Sequence, residues 1–217
     1  MSQDLYRDIT DLAHDSPGWV QLVAELWTEA GLLLFGVLFL VGWWRARPAE
    51  SRAMALAVLA PLGTAFGYVV SELLKSVVDE ERPCRAVAGA AASIVECPPH
   101  GDWSFPSNHS AIAGAAAVAL ALAWRGIVWL TVPMALLMAF SRVFVGVHYP
   151  HDVAAGLVLG ALAAVLFVKL LTGPTRSLAD TMRMSRSALA TWLAGPGPAV
   201  PDHAVSRRRR EPMHRRV

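Results

Sequence analysis

The stretch SRVFVGVHYPHDVAAGLVLGALAAVLFVKLL, residues 141–171, joins a group of polar side chains to a long apolar run. Between Asp152 and Lys169 the run carries no charged side chain. About 20 apolar residues are enough for an α-helix to cross the hydrocarbon core of a membrane. The segment Asp152–Leu171 therefore predicts a membrane-spanning helix. The ionisable side chains at its start indicate a functional site, because such groups are costly at membrane depth.

Four other apolar runs precede this one, and together they predict the fold class. They cover Leu26–Trp44, Ala53–Val78, His109–Trp124 and Ile127–Val145, the third being the shortest. The chain of 217 residues is 55% hydrophobic and only 17% charged, and its mean hydropathy is +0.44. In lipid, only helices and closed barrels satisfy every backbone polar group, and a barrel would show short alternating segments instead of continuous runs. We therefore expect an all-α integral membrane bundle of about five transmembrane helices.

The two ends of the chain differ from this apolar core. Residues 1–25 predict an amphipathic helix at the membrane interface, with a frayed terminus as the alternative. The helical period there is carried by Leu5, Ile9 and Leu12. Residues 26–172 form the predicted transmembrane catalytic domain. Residues 173–217 form a predicted basic cytoplasmic tail, which begins with a surface helix and is partly disordered where proline and arginine dominate.

The distribution of basic residues predicts the orientation of the bundle. Lysine and arginine are enriched in cytoplasmic loops, and here they lie between spans one and two, between spans three and four, and after span five. The N-terminus is then outside and the C-terminus cytoplasmic, in a multi-pass protein of the cell membrane. The outer face holds five basic residues: Arg7, Lys75, Arg82, Arg85 and Arg142. They go against this bias, cluster around the ends of spans two and four, and require another explanation. Three of these cations, Lys75, Arg82 and Arg142, belong to the motifs described next.

The first polar motif is KSVVDEERP, residues 75–83. Lys75 and Arg82 are seven residues apart, so on a helix ended by Pro83 both would project from one face. Two cations that extend from a helix end into the interface are the simpler alternative.

The second motif is FPSNHS, residues 105–110, at the start of the third span. Ser107 or Asn108 is expected to cap this helix, whose free backbone N–H groups favour an anion. Capping does not account for His109, which stands at the mouth of a membrane helix.

The third motif is SRVFVGVHYPHD, residues 141–152. His148 and Asp152 are four residues apart, with Pro150 at an expected helix start. A carboxylate at this spacing can accept a hydrogen bond from one imidazole nitrogen and leave the other free to act as a nucleophile or base. His151 is the neighbouring competitor, and we interpret it as structural.

All three motifs fall on the predicted outer face, where three cations and a helix N-terminus would surround two histidines. This combination suits a phosphate group, whose charge is stabilised by cations and N–H donors during transfer. One histidine can attack phosphorus while the other protonates the leaving oxygen. A histidine-only metal site is the rival, but lysine and arginine would repel a metal ion. We predict no cofactor and no metal.

The three motifs resemble the type 2 phosphatidic acid phosphatase (PAP2) superfamily, which also includes the vanadium haloperoxidases. Its pattern is K-x6-R-P, then P-S-G-H, then S-R-x5-H-x3-D, and the match covers roughly residues 53–171. Asn108 replaces the glycine of the second motif. The resemblance implies a haloperoxidase-like helical core and a metal-independent phosphatase.

The resemblance also implies a role for each motif residue. His148 would be the nucleophile and form a phosphohistidine, Asp152 would orient it, and His109 would protonate the leaving group. The phosphate oxygens would be held by Lys75, Arg82, Ser107, Arg142 and the backbone at Asn108.

A small core of this kind most resembles bacterial undecaprenyl-diphosphate phosphatases, which recycle a cell-wall lipid carrier. We therefore expect hydrolysis of undecaprenyl diphosphate to undecaprenyl phosphate at the outer face. The alternatives are a phosphatidylglycerophosphate or phosphatidic acid phosphatase, and a non-catalytic binder of anionic lipids. The expected partner is the lipid phosphate, not a nucleic acid, and the oligomeric state stays open. Cys84 and Cys97, the two cysteines of the chain, predict a disulfide if their loop lies outside.

Overall fold

The computed structural model describes residues 2–199, and all regular secondary structure within this range is helical. The eight α-helices are α1 (Ser2–Asp15), α2 (Gly18–Ala46), α3 (Ser51–Lys75), α4 (Pro83–Ala86), α5 (Asn108–Ala123), α6 (Val128–Phe144), α7 (Pro150–Arg183) and α8 (Ala188–Ala194). A 3-10 turn, Arg125–Ile127, leads into α6. In the described range four helical segments are long and apolar enough to cross a membrane, namely α2, α3, the turn with α6, and α7. The expected all-α membrane bundle is confirmed.

The third expected span, α5, is the short central helix of the bundle. It has 16 residues and packs against α2, α3, α6 and α7. Most of its side chains are alanine or glycine, and nine of its residues are buried. Small side chains let neighbouring helices approach closely, which is how helices associate in lipid. The surrounding helices therefore enclose α5 and bring its N-terminal end into the bundle.

Two glycines of α7 make the closest approach to α5. A Cβ atom at Gly160 would lie 2.0 Å from the carbonyl oxygen of Ala111, and one at Gly156 would lie 2.5 Å from that of Ser107. No side chain fits at either point. Packing within one chain therefore accounts for this glycine pair.

The N-terminal helix is shorter than residues 1–25, because α1 ends at Asp15 and α2 already begins at Gly18. Tyr6 is buried, and its hydroxyl donates a hydrogen bond to the carbonyl of Gly146 at 2.8 Å. Leu5 and Leu12 remain largely exposed on another face. Helix α1 thus contacts the bundle through Tyr6, Thr10 and Ala13. Leu5 and Leu12 remain available for the membrane interface that the sequence predicted.

The last helix is longer than the expected span, which ended at Leu171. Helix α7 continues through Gly173 and Pro174 to Arg183, and the domain boundary at residue 172 stays a prediction. Packing explains the extension: the Arg183 guanidinium donates to the carbonyls of Arg47 and Ala49 and to the Ser51 hydroxyl. The predicted surface helix is divided between α7 and α8. The arginine-rich part of the tail, residues 200–217, lies outside the described range.

Candidate active site

One end of the bundle contains a cavity of about 480 Å³ that brings the three sequence motifs together. It is formed by the C-terminal ends of α3 and α6, the N-terminal end of α5, and the loops that follow α3, α4 and α6. The polar lining consists of Glu72, Lys75, Arg82, Asp102, Asn108, His109, Arg142 and His148. Side chains distant in sequence therefore share one cationic space, as the motifs predicted.

Lys75 and Arg82 reach this cavity by a different route from the predicted shared helix face. Helix α3 ends at Lys75, and residues 76–82 form a loop before the short α4. Pro83 begins α4 instead of ending α3, and it restricts Arg82 to extended backbone angles (φ −66°, ψ 141°). The predicted continuous helix from Lys75 to Arg82 is therefore wrong, although both side chains are buried in the cavity wall.

His148 is fixed by a buried network. Its Nδ1 atom lies 3.3 Å from Oδ2 of Asp152, and its Nε2 atom lies 3.2 Å from Nη1 of Arg82. Since a guanidinium can only donate, Nε2 must accept, and the proton of the neutral ring belongs on Nδ1, facing Asp152. Burial lowers the pKa of His148 to about 4, opposed by the Asp152 hydrogen bond and assisted by Arg82 and Arg142. The ring is therefore neutral near pH 7, with Nε2 accepting from Arg82 in the cavity wall.

Ser104 completes this network and was not predicted. Its hydroxyl donates to Oδ2 of Asp152 at 2.5 Å and lies 3.5 Å from Nδ1 of His148. Both Ser104 and Asp152 are fully buried. The hydroxyl therefore fixes the carboxylate that orients the imidazole. Sequence offered no signal beyond proximity to the second motif, because a loop serine has no periodic context.

His109 lies in the first turn of α5 and lines the same cavity as His148. Its Nε2 atom is 3.5 Å from Oε1 of Glu29, a residue of α2. Glu29 belongs to the first predicted span and to none of the three motifs, so the sequence pattern gave no sign of its contact with His109. The Glu29 carboxylate therefore contacts the ring of His109 from a neighbouring helix.

Arg142 is the cation most available to a ligand. It is 8% exposed, and its Nε atom has no hydrogen-bond partner. Within residues 2–199, no carboxylate lies within ion-pair distance of its guanidinium, whereas Arg82 and Arg85 each pair with a carboxylate. Unpaired buried charges are costly. An anion in the cavity would supply the missing partner.

Asn108 and Ser107 occupy the start of α5 differently from each other. Asn108 lines the cavity, and its side chain is held by hydrogen bonds to Ser71 and Glu72 of α3. Ser107 is the N-cap residue but is fully buried, with its hydroxyl accepting from Ser110 at 3.2 Å. Ser107 does not line the cavity, so its predicted contact with phosphate remains a prediction.

The loop over the cavity is closed by a disulfide between Cys84 and Cys97. Arg85 strengthens the closure by donating to the carbonyl of Pro98 and to Glu81. Pro98, next to the disulfide, lines the cavity. The pairing suggested by the sequence is thus present, and it fixes one wall of the site.

His151 lies outside the cavity, in agreement with a structural role. Its ring stacks on Tyr149, with 5.3 Å between ring centroids. Its Nε2 atom lies 3.0 Å from Glu80 and 3.1 Å from Oδ1 of Asp152. These three residues are the one group of potential metal ligands in the described range, and a proton on the imidazole satisfies the same geometry.

An oriented imidazole that faces buried cations, at one end of an apolar helical bundle, defines a membrane enzyme that acts on phosphate groups. The family comparison agrees with this class. The model of the PAP2 superfamily matches residues 54–176, which is more than half of the chain, and the protein belongs to this superfamily. It is a membrane-embedded lipid phosphatase.

Similar proteins share this class of activity. The chain is 29% identical over 170 residues to undecaprenyl-diphosphatase BcrC of Bacillus subtilis, covering 78% of this chain and 83% of that protein. It is 35% identical over 111 residues to decaprenylphosphoryl-5-phosphoribose phosphatase of Mycobacterium tuberculosis, covering 50% and 58%. The crystal structure of Aquifex aeolicus LpxE matches with a TM-score of 0.60 at 22% identity, covering 76% of this chain and 93% of that one.

Proposed function

We propose that this protein hydrolyses undecaprenyl diphosphate to undecaprenyl phosphate and inorganic phosphate through a phosphohistidine intermediate. The observation that carries the proposal is the geometry of His148. Its accepting nitrogen, Nε2, faces a cavity lined by Lys75, Arg82 and Arg142. The similar Bacillus protein is named an undecaprenyl-diphosphatase, which supports a prenyl diphosphate as the substrate of this protein.

In the first step, Nε2 of His148 attacks the terminal phosphorus of the substrate. The bond from that phosphorus to the bridging oxygen breaks, and His109 delivers a proton to the departing undecaprenyl phosphate. Asp152 stabilises the positive charge that develops on the imidazole of His148, since it faces Nδ1. The cations hold the three non-bridging oxygens, where negative charge accumulates.

In the second step, His109 removes a proton from water, and the water oxygen attacks the phosphorus of the phosphohistidine. The phosphorus–nitrogen bond breaks, which releases inorganic phosphate and restores neutral His148. Both steps need His109 and His148 on the same cavity, and both residues line it. Ser107 and the backbone N–H of Asn108 are proposed as further ligands of the phosphate oxygens.

We place the cavity at the outer face of the cell membrane. At the opposite end of the bundle lie the α2–α3 loop and the turn before α6. Their basic residues are Arg45, Arg47, Arg52 and Arg125. Basic loops stay in the cytoplasm, so this end and the C-terminus are cytoplasmic. The lipid chain of a substrate would then remain in the outer leaflet while its headgroup enters the cavity.

The test is phosphate release by the purified full-length protein in detergent with undecaprenyl diphosphate, phosphatidylglycerophosphate and phosphatidic acid. The proposal expects the highest kcat/KM with undecaprenyl diphosphate. A preference for either phospholipid would replace the substrate assignment. Binding of all three lipids without release of phosphate would overturn the enzymatic proposal in favour of an anionic-lipid binder.

The nucleophile is tested by comparing His148→Ala with His151→Ala. Both variants remove a histidine from the same segment, but only His148 lines the cavity. We expect His148→Ala to lose on the order of 10³-fold or more in kcat. His151→Ala should keep most activity and still form an acid-labile, radiolabelled phosphoenzyme with a terminally labelled substrate. A labelled phosphoenzyme in His148→Ala would exclude His148 as the attacking group.

A further inference from the structure

Asp102 binds two of the three cavity cations. Its Oδ1 atom lies 3.0 Å from Nζ of Lys75 and 2.9 Å from Nη2 of Arg82. Its backbone carbonyl also accepts from Nε of Arg82 at 2.7 Å. A single loop residue therefore occupies the donors that are assigned to the phosphate.

The burial of these cations explains why a carboxylate is found there. Lys75 and Arg82 are 6% and 3% exposed, and a buried charge without a counter-charge is strongly unfavourable. Among residues 2–199, Asp102 is the one acidic residue whose carboxylate pairs with either cation. Burial acts to raise the pKa of Asp102, but hydrogen bonds from Arg82 and Lys75 outweigh it and keep the pKa below its usual value. The carboxylate is therefore ionised at neutral pH.

The position of Asp102 permits its exchange for a ligand. Its side chain is 42% exposed, and it enters the cavity from a loop instead of from a bundle helix. The segment is held on each side, by the disulfide at Cys97 and by a hydrogen bond from the Ser104 N–H to the carbonyl of Glu80. Between these anchors, the carboxylate can rotate away without disturbing the helices that carry the cations.

We propose that Asp102 is an internal competitor of the substrate, holding Lys75 and Arg82 until a phosphate group displaces it. This inference rests on the proposed function, since it assumes that the same cations hold the substrate phosphate. Arg142, which has no carboxylate partner among residues 2–199, provides the first contact for the incoming anion. The exchange replaces one anion with another, so the buried cations are never left unpaired.

The proposal makes Asp102 a determinant of specificity. A terminal phosphate carries close to two negative charges near neutral pH and offers three acceptor oxygens, so it can replace one carboxylate on both cations. A phosphodiester has one charge and competes poorly. The carboxylate therefore favours terminal phosphates over the diester headgroups that surround the protein in a membrane.

The experiment measures binding of orthovanadate and inorganic phosphate to the full-length protein by isothermal titration. Asp102→Asn keeps the shape and removes the charge, so we expect roughly tenfold tighter binding, the scale of one charge-assisted contact. Asp79→Asn is the matched control, because Asp79 is an exposed acid of the loop between α3 and α4 and forms no ion pair with these cations. Dimethyl phosphate should bind wild type much more weakly than phosphate, with a smaller difference in Asp102→Asn.

Weaker or unchanged anion binding by a folded Asp102→Asn variant would overturn the proposal, because Asp102 would then position the cations for the substrate. Should that variant not fold, a crystal structure of the wild-type protein with vanadate gives the answer. A vanadate on Lys75 and Arg82 with Asp102 displaced supports exchange, and one bound beside an unmoved Asp102 contradicts it. These probes contain no lipid, so the binding result does not depend on the lipid substrate. If Asp102→Asn binds the anions more tightly but the wild-type protein does not hydrolyse undecaprenyl diphosphate, only the proposed substrate is rejected.

Discussion

Ser104 donates its hydroxyl hydrogen to the same oxygen of Asp152, Oδ2, that lies 3.3 Å from the Nδ1 atom of His148. The carboxylate is thus held from one side by a loop and from the other by the imidazole that it orients. This arrangement makes Ser104 a positioning residue for the nucleophile, since it acts through Asp152.

The first prediction concerns this serine. Ser104→Ala should lower kcat by roughly tenfold with little change in KM, because one hydrogen bond to the orienting carboxylate is lost. Steady-state kinetics with undecaprenyl diphosphate measures the change. Ser110→Ala is the control, since that buried hydroxyl bonds to Ser107 instead. A rise in KM alone would indicate that Ser104 contacts the substrate.

The second prediction concerns the unpaired guanidinium of Arg142. Arg142→Gln should lower kcat/KM by on the order of 10²-fold or more, because a cation on the transferred phosphoryl group stabilises the charge of the transition state. Arg142→Lys should restore only part of the activity, since lysine lacks the planar pair of donors. The measurement is kcat/KM together with vanadate affinity. Wild-type affinity for vanadate in Arg142→Gln would remove Arg142 from the phosphate site.

The third prediction concerns pH. Because burial lowers the pKa of His148 to about 4, its ring is neutral and nucleophilic above this value and becomes protonated as pH falls through it. Nitrogen NMR of ¹⁵N-histidine-labelled protein without substrate should show the His148 ring titrating near pH 4, identified by its absence in His148→Ala. Titration near the ordinary histidine value of about 6.5 would contradict the buried position of the ring.

The fourth prediction concerns Glu29. Glu29→Gln should reduce kcat, because the carboxylate contacts Nε2 of His109 and helps to hold the imidazole that serves as the acid. We expect a loss of about tenfold at neutral pH, with KM nearly unchanged. Glu25→Gln, one turn away on α2 and exposed, should retain wild-type kinetics. Equal losses in the two variants would point to a general effect of charge on α2.

The fifth prediction tests the packing that places the site. Gly160→Ala should destabilise the bundle by about 1–3 kcal/mol, because the added Cβ would overlap the Ala111 carbonyl. Thermal unfolding in detergent reports the loss. Gly173→Ala is matched to it on the same helix, where nothing lies within 4 Å of the added atom. A similar stability for both variants would show that α5 and α7 can separate without cost.

Sequence patterns were most informative where a local rule determines the structure. The apolar runs predicted the bundle because lipid leaves the backbone few alternatives, and the spacing of His148 and Asp152 predicted their contact because both flank a helix start. Patterns were insufficient where tertiary contacts decide. The last apolar run ended at Leu171, but helix α7 continues to Arg183, whose side chain contacts the α2–α3 loop.

The site residues that sequence analysis missed share one property. Glu29, Asp102 and Ser104 reach the site from a different span or from a loop without regular structure. Their roles depend on which distant side chains they meet, as when Asp102 lies between Lys75 and Arg82. A pattern within one segment contains no such information, so only the folded chain reveals these partners.

The covalent link between Cys84 and Cys97 allows the orientation of the protein in the membrane to be measured chemically. A reducing agent that cannot cross a bilayer will open the link in intact cells only when this loop faces the exterior. The cavity wall that contains Pro98 would then loosen while the helices keep their arrangement. Catalytic activity would fall as the number of free thiols rises. Chemical access from one side of the membrane thus becomes a direct assay of where the enzyme meets its lipid.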